Sequence, residues 1–299
     1  MNAYLRQNVL DPVRKLPISD EQFEAIAKSR ITLASAFALE ESYDLLIGNY
    51  VEVEQEILSA TASYAVRDLT EHQDFFELRA TINRRVVNLL TAARLYLDQA
   101  RQRFSGCSDD PEKARADFEQ RANHHYDSCF GYRFLEALRN HVQHCGLAVH
   151  RLSLDTKWIK GGGEKRMCEL SIHPFVEQSQ LAADGKFKQA VLNEMQPKEV
   201  LIQHIREYLE RIGDLHRLAR ERIAGHADAA RQTIQKHISM YAEQSNDSPI
   251  GLTAFRTNAE GQEERVPLFL DGDDVRLKLI SRNSSMMELG RIFVTGRIK

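Results

Sequence analysis

Residues 75–100 read FFELRATINRRVVNLLTAARLYLDQA. Apolar residues recur in this stretch at intervals of three and four, the spacing of one face of an α-helix. They are Leu78, Ile82, Val86, Leu89, Leu90, Ala93 and Leu97. The stretch therefore predicts a long amphipathic helix that buries a continuous apolar stripe, and it favours a mainly helical fold.

Further helices are predicted on both sides of this segment. Ser19 precedes Asp20 and Glu21, and a Ser cap followed by acidic residues is typical of a helix start. Pro111 stands at a suitable first helical position, and that helix should run to about Tyr126. Another helix is expected over about 129–145, with Gly146 as a left-handed stop.

A later segment, about 198–243, has heptad-like spacing. Its apolar positions step by four and three: Leu201, Ile205, Tyr208, Ile212, Leu215 and Ala219. Gly213 and Gly225 lower the helix propensity of this segment. The pattern fits a helix pair within the chain as well as a coiled coil between two chains.

Two segments change from helical spacing to alternation. Within 147–173, Leu152, Leu154 and Trp158 alternate with polar residues, Cys168, Leu170 and Ile172 do the same, and GGGEK lies between them. This predicts an inserted β-hairpin with one apolar face, on which Trp158 is expected to be core.

The C-terminal segment also alternates. Val266, Leu268 and Leu270 precede the turn sequence DGDD, and Val275, Leu277 and Leu279 follow it, so a second hairpin is predicted. The expected organisation is a helical domain over 1–244 and a small β appendage over 245–299.

Composition limits the classes of function. The chain has 299 residues, 42% of them hydrophobic, and a formal net charge of −3, so a polyanion would have to be bound by a local arrangement. No stretch resembles a signal peptide or a membrane span, and the four cysteines include no CxxC pair. We expect a cytoplasmic chain with reduced thiols and no membrane partner.

Residues 138–146 read LRNHVQHCG, a polar run on a helix that otherwise buries apolar side chains. On a helical wheel Asn140 and His144 lie opposite the apolar arc, which includes Leu138, Val142 and Cys145, and Arg139 and Gln143 form the flank. A guanidinium holds a phosphodiester, an imidazole transfers protons near neutral pH, and an amide orients either group. The set suits phosphoryl transfer in RNA, where the 2′-hydroxyl is the nucleophile.

This motif, Arg139-Asn140-x-x-x-His144, resembles that of the HEPN superfamily (higher eukaryotes and prokaryotes nucleotide-binding). The resemblance implies a helical bundle that forms a homodimer, with both motifs meeting in one cleft at the two-fold interface. Many members are metal-independent endoribonucleases that act as toxins or in antiviral defence, and others only bind RNA or a partner. By this resemblance Arg139 would stabilise charge on the scissile phosphate, His144 would be the acid or base, and Asn140 would orient the phosphate or the imidazole. RNA would be the substrate, no cofactor would be needed, and an antitoxin or regulatory protein is a further expected partner.

Additional substrate contacts are expected from Gln143 and His141 beside the motif and from Arg84 and Arg85 on the long helix. The spacing Arg-x4-His also occurs in RDLTEH, residues 67–72, and RIGDLH, residues 211–216. Arg139 is preferred because Asn140 follows it and a glycine ends the helix. Arg67 with His72 stays open as the alternative motif, whereas RIGDLH is expected to be a solvated helix face.

Two other interpretations use the same residues. A structural zinc site is conceivable because histidines and cysteines cluster, although their spacing matches no standard ligand set. The cluster comprises His124, His125, Cys129, His141, His144, Cys145 and His150. The chain could also be a non-catalytic interaction module, in which the helices dimerise and the β segments bind a protein or RNA.

Overall fold

A computed structural model describes residues 2–8, 14–67, 71–160, 166–183, 185–245, 248–257, 261–283, 286 and 288–292. These residues form a mainly helical fold with two antiparallel sheets, so the predicted fold class is confirmed. The GGGEK turn and Asp68 of RDLTEH lie outside the described residues.

The secondary-structure elements occur in the following chain order. They are β1 (Asn2–Gln7), β2 (Leu16–Ile18), α1 (Asp20–Tyr64), α2 (His72–Gly106), α3 (Pro111–Ser128), α4 (Phe130–His144), β3 (Arg151–Lys160), β4 (Arg166–Glu177), α5 (Gln178–Ala183), α6 (Gln189–Glu194), β5 (Lys198–Val200), α7 (Leu201–Ser245), β6 (Leu252–Thr257), β7 (Glu263–Pro267), α8 (Asp271–Arg282) and a 3₁₀ turn (Leu289–Arg291).

The helix starts lie where the sequence predicted them. Before α1, the Ser19 hydroxyl accepts a hydrogen bond from the Gln22 amide at 3.1 Å, and the Ser19 amide donates to the Gln22 side chain at 2.8 Å. This is a reciprocal capping box. Helix α3 begins at Pro111, where the Asp110 carboxylate accepts from the Lys113 amide at 3.0 Å. Helix α2 contains the whole predicted segment 75–100.

The chain divides into two compact units, and α1, α2, α3 and α7 each contribute to both. We call the first the terminal unit and the second the hairpin unit. The terminal unit comprises residues 1–44, 98–118 and 217–284, and the hairpin unit comprises residues 45–97, 119–216 and 285–299.

The terminal unit contains a four-stranded antiparallel sheet in the order β2-β1-β6-β7. Leu5 on β1 and Phe255 on β6 are fully buried. Strands β6 and β7, from the segment 245–299, therefore form one sheet with the N-terminal strands. Strands β1 and β2 were not predicted, because they are short and only Ala3 and Leu5 alternate with polar residues.

The predicted second hairpin is wrong, because Val275, Leu277 and Leu279 lie on α8. The observed hairpin pairs β6 with β7, before DGDD. Acidic residues of DGDD occupy the first turn of α8, where the helix dipole favours negative charge. Three apolar residues at alternate positions are too few to distinguish a strand from one turn and a half of helix.

Helix α7 buries its heptad-like positions within the chain. Leu201, Ile205, Ile212, Leu215 and Ala219 are all fully buried. The structure therefore shows intrachain packing along this helix, which is the first of the two alternatives.

The prediction of a solvated face for RIGDLH is wrong. His216 is 1% exposed, and its Nδ1 lies 3.0 Å from the Tyr96 hydroxyl, with which it shares a hydrogen bond. His216 directly follows Leu215 and lies one turn after Ile212, so it joins the buried stripe of α7. A polar residue on a buried stripe is stable there because it has a hydrogen-bond partner.

The hairpin unit contains a three-stranded antiparallel sheet in the order β3-β4-β5. Strands β3 and β4 pair from Arg151 with Phe175 to Lys160 with Arg166, so the inserted hairpin is confirmed. The expectation of a core position for Trp158 is wrong, because this side chain is 65% exposed. The buried positions among the described residues of the hairpin are Ile172, Pro174 and Val176, toward its base, whereas Trp158 lies on the outer part.

No helix of the described ranges combines the length and the hydropathy needed to cross a membrane.

One buried ion pair of the terminal unit yields a test of stability. Arg220 donates to both carboxylate oxygens of Glu40, at 2.8 and 2.6 Å, and Glu40 is 1% exposed. Removing one partner of a buried pair leaves the other charge uncompensated, so we expect Glu40→Ala to lower the free energy of unfolding by about 3–5 kcal/mol. Urea denaturation followed by circular dichroism measures this change.

The control for this test is Glu221→Ala, which removes the partner of Arg217 in an exposed pair on α7. Exposed pairs contribute on the order of 0.5 kcal/mol or less. Equal losses from the two substitutions would contradict the importance of the buried pair.

Candidate functional site

Helix α4 separates its residues into a buried face and a polar face. Asn140, Gln143 and His144 are exposed, as the sequence predicted. Cys145 is also exposed, because it lies beyond the last helical residue and its backbone has left the helical conformation. The buried positions are Gly131, Tyr132, Phe134, Leu135, Ala137, Leu138 and His141.

Asn140 contacts the arginine of the motif. The Arg139 Nη1 donates a hydrogen bond to the Asn140 side-chain oxygen at 2.8 Å. The Nε of Arg139 is buried without a hydrogen-bond partner among the described residues. This contact joins Asn140 to the guanidinium, which is neither the phosphate nor the imidazole that Asn140 was expected to orient.

A cleft of about 420 Å³ lies beside the end of α4, and we call it the His144 cleft. Its lining contains Asn140, His141 and His144 of the predicted site but not Arg139. Two lysines from the segment between α5 and α6 complete the lining. The full lining is Tyr126, Glu136, Ala137, Asn140, His141, His144, Cys145, Lys186, Phe187 and Lys188.

Sequence reasoning missed Lys186 and Lys188. They stand around the buried Phe187 in the short sequence KFK, and a basic pair that alternates with an anchoring aromatic residue is the signal that could have indicated them. Lys188 donates a hydrogen bond to the Tyr126 hydroxyl, and its Nζ lies 4.8 Å from the centre of that ring. This contact holds the ammonium group at the rim of the cleft.

Among the described residues, the lining of the His144 cleft contains two lysines and one acidic residue, Glu136. Burial, together with the neighbouring Glu136, raises the pKa of Tyr208, so this hydroxyl stays protonated and donates to the Glu136 carboxylate. Glu136 also lies 3.5 Å from Arg94, which compensates its charge. Within the described ranges, the His144 side chain forms no hydrogen bond or ion pair and is available to a ligand.

Gly146 does not form the left-handed stop that the sequence predicted. The described glycines with positive φ are Gly185, Gly251 and Gly261. The amides of Cys145 and Gly146 both donate to the His141 carbonyl, at 2.7 and 3.2 Å, and this ends the helix.

The requirement for glycine at position 146 is steric. A Cβ atom there would lie 2.9 Å from the His141 Nε2, too close for an ordinary contact. Glycine thereby allows the His141 ring to pack against the backbone, while its other side meets Phe187 at a centroid distance of 5.9 Å. His141 therefore reaches the cleft only with a small exposed part of its ring.

A buried side-chain amide fixes the segment that follows α4. The Val149 amide donates to the Asn83 side-chain oxygen at 2.8 Å, and the Asn83 side-chain nitrogen donates to the Val149 carbonyl at 3.1 Å. One turn earlier on α2, Arg79 donates to the His150 carbonyl at 3.0 Å. Helix α2 thereby holds the loop that ends α4 and determines where the motif lies.

The remaining predicted substrate residues are not in the His144 cleft. Gln143 is exposed outside its lining, and Arg84 lies on α2 with a hydrogen bond to Thr81 at 2.9 Å. Arg85 pairs with Glu52 at 2.6 Å and with Glu56 at 3.6 Å. Two carboxylates therefore already compensate the charge of Arg85.

The residues of the alternative motif, Arg67 and His72, are exposed, and His72 lines a cleft other than the His144 cleft.

The histidine and cysteine cluster was considered as a zinc site. His125 of this cluster is buried and lies 2.8 Å from Asp214. The part of the chain that the structure describes contains no group of three or more His, Cys, Asp or Glu side chains arranged to hold a metal ion.

Comparison with known proteins gave no match, either to a protein-family model, to a curated protein or to a solved structure.

The Asn83 contacts yield a stability test. Asn83→Ala removes the hydrogen-bond partners of the Val149 N–H and of the Val149 carbonyl. Each buried polar group left without a partner costs about 1–3 kcal/mol. We expect the free energy of unfolding to fall by about 2–5 kcal/mol in urea denaturation. The matched control is Asn88→Ala, an exposed amide on the same helix, which should change it by less than about 0.5 kcal/mol. A loss no larger than that of the control would contradict this role of Asn83.

His150 yields a pH test. Its Nδ1 accepts a hydrogen bond from the Glu177 amide at 3.0 Å, and burial, aided by His141, lowers its pKa below 6.5. The unfolded chain therefore takes up this proton at a higher pH than the folded chain, and stability is lost as the pH falls through the folded pKa. His150→Asn keeps an acceptor for the Glu177 amide but does not take up a proton in this pH range. Between about pH 7 and 5, the free energy of unfolding of this variant should therefore fall less than that of the unsubstituted chain. Denaturation at both pH values measures this, and parallel losses would contradict it.

Proposed function

We propose that the protein is a metal-independent endoribonuclease of the HEPN type. The main support for this proposal is that Asn140 and His144 line one cleft with two lysines, while the Asn140 side chain accepts a hydrogen bond from the Arg139 guanidinium. The reaction is attack of an RNA 2′-hydroxyl on the adjacent phosphorus. The bond to the 5′-oxygen breaks, which leaves a 2′,3′-cyclic phosphate and a 5′-hydroxyl end.

Each residue has a defined part in this reaction. His144 transfers a proton, either from the attacking 2′-hydroxyl or to the leaving 5′-oxygen. Arg139 stabilises the negative charge that develops on the phosphate oxygens, and Asn140 keeps its guanidinium oriented. Lys186 and Lys188 attract the flanking phosphates into the cleft.

The reaction needs one proton acceptor and one proton donor. The His144 cleft offers a single exposed imidazole, since His141 is buried. A second copy of the chain, related by a two-fold axis, supplies the second His144 and a second Arg139. We therefore include a homodimer in the proposal, with the two motifs facing one RNA strand. Control by an antitoxin or regulatory protein, in a toxin or antiviral system, belongs to the same proposal.

A specific observation favours a second candidate, a non-catalytic interaction module. Trp158, on the outer part of the hairpin, is 65% exposed, and its cross-strand neighbour Cys168 is also exposed. Tryptophan is enriched at protein interfaces, so an exposed tryptophan favours an interaction surface. In this case the α4 motif would contribute affinity for RNA and no turnover.

The test of the proposed function is RNA cleavage in the presence of EDTA. We expect the purified chain to produce fragments with 2′,3′-cyclic phosphate ends, and Arg139→Ala and His144→Ala to reduce the rate by on the order of 100-fold or more, because each removes a group that acts in the transition state. The matched control is His124→Ala, an exposed histidine on α3, which should leave the rate unchanged.

The same assay distinguishes the alternatives. Arg67→Ala should leave kcat unchanged, whereas a loss of kcat would assign the reaction to RDLTEH. Equal cleavage by the Arg139→Ala, His144→Ala and unsubstituted chains would refute the proposal. RNA binding that depends on Arg139 and His144, without any product, would support the interaction module.

A further inference from the structure

The His144 cleft adjoins other clefts of the hairpin unit. It shares His141 and Cys145 with a second cleft of about 510 Å³, which follows the loop after α4. The second cleft shares Arg79 and Leu147 with a third of about 410 Å³, and it shares Arg79 and His150 with a fourth of about 420 Å³. A series of adjoining clefts therefore extends from the motif to helix α2, and we call this series the path.

Phe76 stands at the far end of this path. Its side chain is 55% exposed, although phenylalanine is among the residues most often buried. The ring lines both the third and the fourth cleft, so open space adjoins it on two sides. The Arg79 guanidinium lies 5.9 Å from the ring centre. An accessible aromatic ring beside a guanidinium is a surface on which a nucleobase can stack.

The side chains around Phe76 are basic. Arg84 lines the third cleft, His72 and Arg151 line the fourth, and Arg79 lines both. Among the described residues, neither lining contains an aspartate or a glutamate, although Arg151 lies 3.9 Å from Glu177, which lines the second cleft. This charge excludes a cationic ligand and favours a polyanion whose phosphates lie between the basic groups.

We infer that Phe76 forms a nucleotide-binding subsite for single-stranded RNA, remote from the reacting bond. An unpaired base stacks on the Phe76 ring, and a phosphate of the same strand lies near Arg84. A duplex does not fit this site, because its bases already stack on one another and offer no free face. The inference rests on the proposed function for the identity of the ligand, and it specifies that the RNA is single-stranded and extends over the loop after α4.

The first test measures binding without cleavage. The full chain with His144→Ala is titrated into a fluorescein-labelled, unstructured 12-nucleotide RNA, and fluorescence anisotropy gives Kd. Adding Phe76→Ala should raise Kd by about 5- to 150-fold, the effect of losing one stacked base. Phe76→Trp should retain the affinity, and Phe76→Leu should not, because leucine supplies apolar area without an aromatic face.

The controls separate a specific subsite from general effects. Phe269→Ala removes an aromatic side chain of similar exposure, 43%, from the terminal unit and should leave Kd unchanged. Arg84→Ala should reduce the slope of log Kd against log salt concentration by about one, because one phosphate contact is lost. Arg115→Ala, an exposed arginine of the terminal unit, should leave that slope unchanged. The same sequence as a duplex should bind more weakly.

The outcomes distinguish the subsite from the ribonuclease. An unchanged Kd for Phe76→Ala, equal binding of duplex and single strand, or no binding of the single strand by the parent chain would each overturn the subsite. Cleavage that depends on His144 would still support the ribonuclease in those cases. Binding that depends on Phe76, together with no release of cyclic phosphate by the unsubstituted chain in the cleavage assay, would support the subsite and refute the ribonuclease.

Discussion

The candidate site depends on the contact between the Asn83 side chain and the backbone of Val149. A primary amide carries one acceptor and a donor group in a fixed plane, so it can satisfy the backbone N–H and C=O of one residue, as a neighbouring antiparallel strand would. Here it does so in a buried environment, where unpaired polar groups are costly. The loop after α4 is therefore fixed against α2, and the clefts on both sides of this loop have defined walls.

The local charge of the site differs from that of the whole chain. The formal net charge is −3, yet Lys186 and Lys188 line one end of the connected clefts and Arg79 and Arg84 line the other. Elsewhere, many arginines are compensated within the fold, as Arg85 is by two glutamates on α1 and Arg220 is by Glu40. The fold decides which basic residues line a cleft and which pair with a carboxylate in the interior, and composition does not reveal this.

How well each helix or strand could be predicted from the sequence depended on the length of its pattern of apolar residues. The long helices and the inserted hairpin were predictable, because a period repeated over many residues has few alternative explanations. Helix α8 was misassigned because its pattern consists of three apolar residues, and β1 was missed for the same reason. His216 and Trp158 show a different limit. Each was assigned from its position on its own element, but burial depends on which other element covers that position.

The sequence by itself determined the helical class, the hairpin and the division of α4 into a buried face and a polar face that carries Asn140 and His144. These properties follow from the local period of apolar residues, which one segment contains in full. Only the tertiary structure decided that Lys186 and Lys188 stand beside His144, that Gly146 serves the packing of His141, and that Phe76 lies on a path from the motif. These properties join residues that are distant in the chain, and the contacts that bring them together form only when the helices pack.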